Sequence, residues 1–314
     1  FVINSAKIPI FTGIICVLRK NKEKMKKYST LAKEMLDRQK RDWDWCVKGY
    51  GSLETVITHE FKYDGFSLKV QFNPGRMTST SAKVDPKSIK ERKCFLCEES
   101  LPPAQERLQY RDGYHILVNP FPIFPGHFTI PKTGHNPQEI AGHFEMMLTL
   151  ADDMDGEFTI FYNGPKCGAS APDHFHFQAG SRNFMTVEHD FHSLKSKYSV
   201  VSREFNGVTV NPIDDGIRKM IFLEGENKDA LASEFYTIFD RYVALMHTDE
   251  EPLMNILAWK HGHGFRVVVF LREKHRPARY FAEGEERILL SPASVDIGGV
   301  GVIPVEEDFN RITQ

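Results

Sequence analysis

Asp173-His-Phe-His-Phe-Gln178 is the stretch on which the reading of this chain turns. On an extended backbone successive side chains alternate. His174, His176 and Gln178 then share one face while Phe175 and Phe177 take the other, with same-face neighbours about 6–7 Å apart. A helix would scatter the polar trio, because residues two apart on a helix do not face each other. The glycine-rich run just before it, Asn163-Gly-Pro-Lys-Cys-Gly168-Ala-Ser170, can bring backbone amides close to an anion. A strand whose polar face merely meets water would also alternate, but two histidines and a glutamine aligned behind such a loop point to a site.

Cys94-Phe-Leu-Cys97 is the second signal. In isolation a C-x-x-C pair is equally a pair of small buried residues, a redox pair or half of a tetrahedral metal site. Zinc accepts two thiolates with two imidazoles, and His135 and His174 have the best-placed surroundings to complete the set. Such a closed site would be structural, fastening the cysteine loop to the histidine strand.

Outward from these motifs, the spacing predicts an amphipathic helix over residues 29–50 and a half-buried strand over 66–72, ended by Asn73-Pro-Gly75. Short strands follow at 114–118, 127–131 and 158–162. Asn136 as cap, Pro137 at the first helical position and Glu139 predict a helix from 136 through Leu150. Beyond residue 195 come a strand pair at about 200–210, a helix over about 229–246, and strands 254–260 and 265–271 joined by the turn His261-Gly-His-Gly264. Both halves use strands, a long helix and more strands, which suggests a duplicated α+β unit.

The composition excludes other classes. A formal charge of −2 gives no basic face for nucleic acid. Five cysteines make no disulfide framework, so a reducing cytoplasm is expected. The apolar run 8–18 is too short to span a bilayer, and the basic residues after it reverse the order of a signal peptide. Residues 1–24 therefore read as a non-native or poorly ordered segment ahead of Met25.

The run Pro125-Gly-His127-Phe-Thr-Ile-Pro131-Lys132-Thr-Gly-His135, with His174-x-His176-x-Gln178 and Cys94-x-x-Cys97, resembles the histidine-triad superfamily. Within it the resemblance is to the galactose-1-phosphate uridylyltransferases and to the GDP-hexose and diadenosine tetraphosphate phosphorylases, and it covers residues 66–190. It implies an α+β fold, a histidine-triad-like antiparallel sheet with flanking helices, built as two related halves: a catalytic domain with a zinc site at 25–195 and a divergent second half at 196–314. His176 matches the nucleophile that takes up a nucleoside monophosphate, and Gln178 the residue that hydrogen-bonds its phosphoryl oxygens. Cys94, Cys97, His135 and His174 match ligands of Zn2+, while Asn163, Gly164 and Ser170 sit where the family lines its phosphate pocket. The apolar spacers of His-Phe-His-Phe-Gln are nearer to the phosphorylases, whereas the cysteine pair is more typical of the uridylyltransferases.

The expectation is thus a cytoplasmic nucleotidyltransferase working on a nucleotide sugar with phosphate or a sugar phosphate as acceptor, in the manner of a GDP-hexose phosphorylase. Uridylyl transfer to hexose 1-phosphate and dinucleoside polyphosphate phosphorolysis are the enzyme alternatives, and a non-catalytic nucleotide-binding protein is the alternative of another class. Neither nucleic acid nor membrane is expected as a partner; a homodimer stays open. Arg76, Lys83 and Lys132 are the candidate phosphate cations. Arg272-Glu-Lys274-His-Arg276 and Arg279 read first as a solvated charged face, and second as contacts to a sugar phosphate. His261 and His263 read as an exposed turn before a second metal site, and His143 as packing or surface.

Overall fold

The computed structural model describes residues 27–77, 85–111 and 113–313. The expectations for residues 1–24 and for Lys83 lie outside them. Two helices, α1 (Tyr28–Asp42) and α2 (Asp44–Gly51), replace the single helix expected over 29–50. The break is Trp43, whose backbone turns extended (φ −124, ψ 110) while its indole is buried in the core.

Next come β1 (Ile57–Tyr63), β2 (Phe66–Phe72), α3 (Pro86–Glu91), β3 (Arg107–Tyr110), β4 (Tyr114–Val118) and β5 (His127–Pro131). Then follow α4 (Phe144–Asp153), β6 (Phe158–Asn163), β7 (His176–Ser181) and α5 (Thr186–Tyr198). The second half supplies β8 (Arg203–Phe205), β9 (Val208–Asp214), β10 (Lys219–Gly225), α6 (Lys228–Met246), β11 (Met254–His261) and β12 (Gly264–Leu271). Short α7 (Ser294–Ile297), β13 (Val300–Ile303) and α8 (Glu306–Arg311) close the chain.

Ten strands form one antiparallel sheet in the order β3-β4-β5-β7-β6-β11-β12-β10-β9-β8. Counted inward from its two edges, the halves have the same order, with α4 before β6 and α6 before β11 at equivalent points. They meet where β6 pairs β11, with Asn163 opposite Asn255 and Phe161 opposite Leu257. The boundary expected at 195/196 falls inside α5. A three-stranded sheet, β1-β2-β13, joins the two ends of the described chain, since β13 runs parallel to β2.

Alternation divides the core between the sheet's faces. Phe175, Phe177, Ile160 and Ile256 pack beneath α4 and α6, where the Phe144 and Phe235 rings stack at 3.9 Å. Phe161, Leu257, Trp259 and Val268 pack on the other face with α5 and β13. Each such buried aromatic or aliphatic side chain stabilises the fold by roughly 1.5–3 kcal/mol.

The helix expected from Asn136 starts only at Phe144. Gly142 takes φ +76, which interrupts any helix, and the residues before it serve other partners. Gln138 is buried and bonded across two strands, while the Ile140 amide donates to Glu251. Here tertiary hydrogen bonds override a good local start signal.

Candidate active site and metal cluster

β7 carries the site because β5 and β6 flank it: Pro131 pairs with His176, Thr129 and Phe161 with Gln178. The strand proper begins at His176, and His174 lies in the bend before it. Gln138 fixes this junction. Its Oε1 accepts from the His176 amide at 2.8 Å, and its Nε2 donates to the His176 and Asn163 carbonyls, both at 3.0 Å.

His176 is 3% exposed, and its Nδ1 lies 2.9 Å from the His174 carbonyl oxygen. A carbonyl only accepts, so Nδ1 carries the proton and Nε2 keeps its lone pair. Burial pulls the His176 imidazole down to about 4, consistent with a neutral ring. Gln178 is oriented in the same way. The Ile123 amide donates to His127 Nδ1, so His127 Nε2 is the protonated nitrogen and donates to Gln178 Oε1 at 2.9 Å. The Gln178 amide N–H groups are thereby left for the cavity.

That cavity, of about 460 Å³, is lined by His176, Gln178, Asn163, Ser170 and Arg76. Asn163 Oδ1 accepts from Asn255 Nδ2 and from the amide and hydroxyl of Ser294, which leaves its own Nδ2 for the cavity. Gly168, at φ +100, lets the loop turn beside it. Arg76 donates to the Phe121 carbonyl at 2.6 Å. Burial draws its guanidinium down to about 10, still protonated at neutral pH.

Two expected pocket residues are placed elsewhere. Gly164 is absent from the cavity wall and packs where a Cβ would come within 2.9 Å of the Met254 carbonyl. Lys132 is also absent from it: Pro131 pairs with His176, so the next side chain points to the helix-covered face, where burial depresses His143 and the Lys132 charge adds to the effect. His143 itself packs on Phe175 at 4.0 Å, and His261 and His263 are exposed.

Sequence reading missed several wall residues. Trp45 and Phe121, exposed and 6.3 Å apart, continue into an apolar wall with Phe95, Leu96, Leu101 and Leu117. Ser291, from the second half, also lines the cavity, as do His275 and Arg276 of the charged run whose second reading was contact with a sugar phosphate. Phe95 and Leu96 stood in plain sight as the spacers of the cysteine motif. The other contributions depend on long-range contacts with no local signature.

Cys94, Cys97, His135 and His174 converge, their ligand atoms all within 4.8 Å of one another. His174 Nδ1 lies 3.3 Å from Cys94 Sγ and 3.6 Å from Cys97 Sγ, and His135 Nδ1 lies 3.2 Å from Cys97 Sγ. Tetrahedral zinc with its usual bond lengths would separate a sulfur from a nitrogen by about 3.5 Å. His174 Nε2 donates to the Lys132 carbonyl at 2.7 Å, which leaves Nδ1 as the ligating atom. Burial alone would raise the Cys94 thiol, but bonds from His174 and from the Leu96 and Cys97 amides bring it below its ordinary value. The donor set therefore fits zinc. Arg92 pairs with Asp173, tying the cysteine segment to the histidine segment a second time.

No helix among the described residues is long and apolar enough to cross a membrane. Residues 35–181 match a family described as Domain of unknown function (DUF4922). No curated protein matches the sequence. Among solved structures, the yeast Ap4A phosphorylase Apa2 in complex with AMP is 18% identical with a TM-score of 0.56, over 89% of this chain and 90% of that one. The same protein in complex with Ap4A gives 15% identity and a TM-score of 0.52, over 90% of each chain. The chain therefore has the α+β, histidine-triad and uridylyltransferase-like fold across both of its halves.

Proposed function

We propose that this protein is a nucleotidyl-transferring phosphorylase that carries a nucleoside monophosphate on His176 and passes it to phosphate. The observation that carries the reading is the lone pair of His176 Nε2 at the cavity, fixed by the Nδ1 bond to His174 and set beside the donor amide of Gln178. A binding module has no need of such a nucleophile.

In the first step Nε2 attacks the α-phosphorus, a P–N bond forms, and the bond to the bridging oxygen breaks as the remaining phosphorylated group departs. Gln178, Asn163 Nδ2 and Arg76 are positioned to stabilise charge on the phosphoryl oxygens. In the second step an oxygen of phosphate attacks the same phosphorus and the P–N bond breaks, restoring the neutral ring. The apolar wall from Trp45 to Leu117 suits the planar base of the transferred nucleotide. Zinc held by Cys94, Cys97, His135 and His174 would brace the approach to β7, a structural part only.

As donor we favour a dinucleoside polyphosphate over the nucleotide sugar, because the fold is shared over 89% of this chain with a phosphorylase whose complexes hold AMP and Ap4A. Intact-mass spectrometry tests this after the protein is mixed with a dinucleoside tetraphosphate, or with GDP- and UDP-sugars. The reading expects an acid-labile mononucleotide adduct from the first and little from the sugars. Adduct from the sugars alone would restore the nucleotide-sugar reading, and no adduct from any donor would end both.

A further inference from the structure

The segment between β12 and α7 folds back from the second half to reach the site of the first. Arg272 holds it there: Nη1 donates to the Pro292 carbonyl at 2.6 Å and to Asn255 Oδ1 at 3.1 Å, and Nη2 to the His275 carbonyl at 2.5 Å. Asn255 in turn bonds Asn163, so the fold-back is tied to the floor of the cavity. The segment presents Arg276, Ser291 and His275 to the cavity wall. Arg276 Nε donates to Ser291 Oγ at 3.0 Å, and the guanidinium lies over the Tyr280 ring at 4.3 Å. Ser291 Oγ also contacts His275 Nε2 at 3.4 Å.

What sets Arg276 apart is its charge balance. Arg76, the other arginine of the cavity, feels Asp296 and donates to a carbonyl. Among the described residues no carboxylate pairs with Arg276, and its partners are a hydroxyl and an aromatic face. A half-buried guanidinium held by neutral groups keeps its terminal N–H pair for an anion, and its planar fork matches a phosphate. Burial also discourages a second charge next door, since it pulls His275 down to about 4, helped by Arg276 and Arg272.

We propose that Arg276, positioned by Ser291 and Tyr280, binds the phosphate chain on the far side of the scissile bond: the departing polyphosphate in the first step and the attacking phosphate in the second. This rests on the phosphorylase reading of His176. In it the first half supplies the nucleophile and the α-phosphate donors, and the second half supplies the recognition of what leaves and what attacks. Within the charged run at 272–279, Arg276 is then the ligand-binding residue and Arg272 the one that holds the segment in place.

The test separates the two readings by the chemistry of the leaving group. Wild-type protein and the variants Arg276→Ala and Arg276→Gln are each given a dinucleoside tetraphosphate, or a nitrophenyl ester of the nucleoside monophosphate, whose leaving group carries no phosphate. Adduct formation on His176 is followed by mass, and the adduct is then discharged with inorganic phosphate. Both variants should form adduct from the nitrophenyl ester within about threefold of wild type. Both should lose about 10–100-fold with the tetraphosphate and in the phosphate concentration needed for discharge, the size expected for a charged hydrogen bond. Equal losses with both donors, or none with either, would overturn the assignment to Arg276. Wild-type protein that forms no adduct from either donor would instead remove the reading of His176. Arg276→Gln keeps an N–H group where Nε donates to Ser291 while removing the charge and the terminal fork, so melting curves matching wild type exclude a folding defect as the cause.

Discussion

Gln178 Oε1 and His127 Nε2 are 2.9 Å apart, and the Ile123 amide on the other side of the imidazole decides which of the two donates. Burial, with the nearby Arg76 charge, pulls His127 down to about 3 and keeps it neutral. On the proposed function, His127 is thus a positioning residue, acting on the reacting phosphate through Gln178. His127→Phe should lower the rate of adduct formation about 10–100-fold with little change in KM, as for other groups that orient a functional side chain. A His127→Gln variant, whose amide nitrogen falls near the position of the imidazole Nε2 and can donate to Gln178, should recover part of the loss. A KM effect without a rate effect would argue against the relay.

His176→Ala removes the nucleophile and none of the proposed metal ligands. Adduct should fall below detection, while bound metal per chain stays at the wild-type value. Undiminished adduct in this variant would mean that another residue is nucleotidylated.

The proposed metal cluster joins a loop to the bend before β7, so its loss should be felt in stability and in the site together. Cys94→Ser, or exhaustive chelation, should abolish stoichiometric zinc by atomic emission and lower the melting temperature by several degrees, because metal binding energy is also folding energy here. A wild-type protein that is free of zinc and equally stable after chelation would remove the cluster.

Glu251 offers a pH-dependent stability test. Burial pushes its carboxyl up to about 7, although it accepts from the Ile140 amide at 2.6 Å and from the Tyr162 hydroxyl at 2.7 Å. A carboxyl raised in the folded state binds its proton more tightly there than in the unfolded chain. Its contribution is therefore complete below its unfolded value of about 4.5 and declines as pH rises through about 7. Glu251→Gln should flatten the fall of melting temperature between pH 5 and pH 8 relative to wild type. Parallel curves for the two proteins would refute the assignment.

The sequence made legible what depends on alternation and on short motifs. Strands β2 and β7 follow from period-two patterns, β4, β5 and β6 from short apolar runs between Pro- and Gly-rich connections, and β11 and β12 from their glycine-rich turn, while the four sulfur and nitrogen ligands of the proposed metal converge as their residue types suggested. Features set by partners distant in sequence were not legible. Gln138 lies in a stretch patterned as a first helical turn but is held by bonds to two strands, and Trp43 has helical spacing but its burial coincides with the break between two helices. Lys132 failed for a simpler reason: it is one residue out of phase with Pro131, and on a strand that places it on the opposite face.

The seam between β6 and β11 has an evolutionary consequence. When two copies of one unit share a single sheet, only one needs to keep the reactive imidazole, and the other is free to drift toward whatever its twin lacks. Asn163 and Asn255, facing each other across that seam and hydrogen-bonded at 2.8 Å, anchor the floor of the cavity to the segment that folds back from the second half. On the proposed function, specificity then diverges among descendants by changes in the second half alone, with His176 and its neighbours untouched.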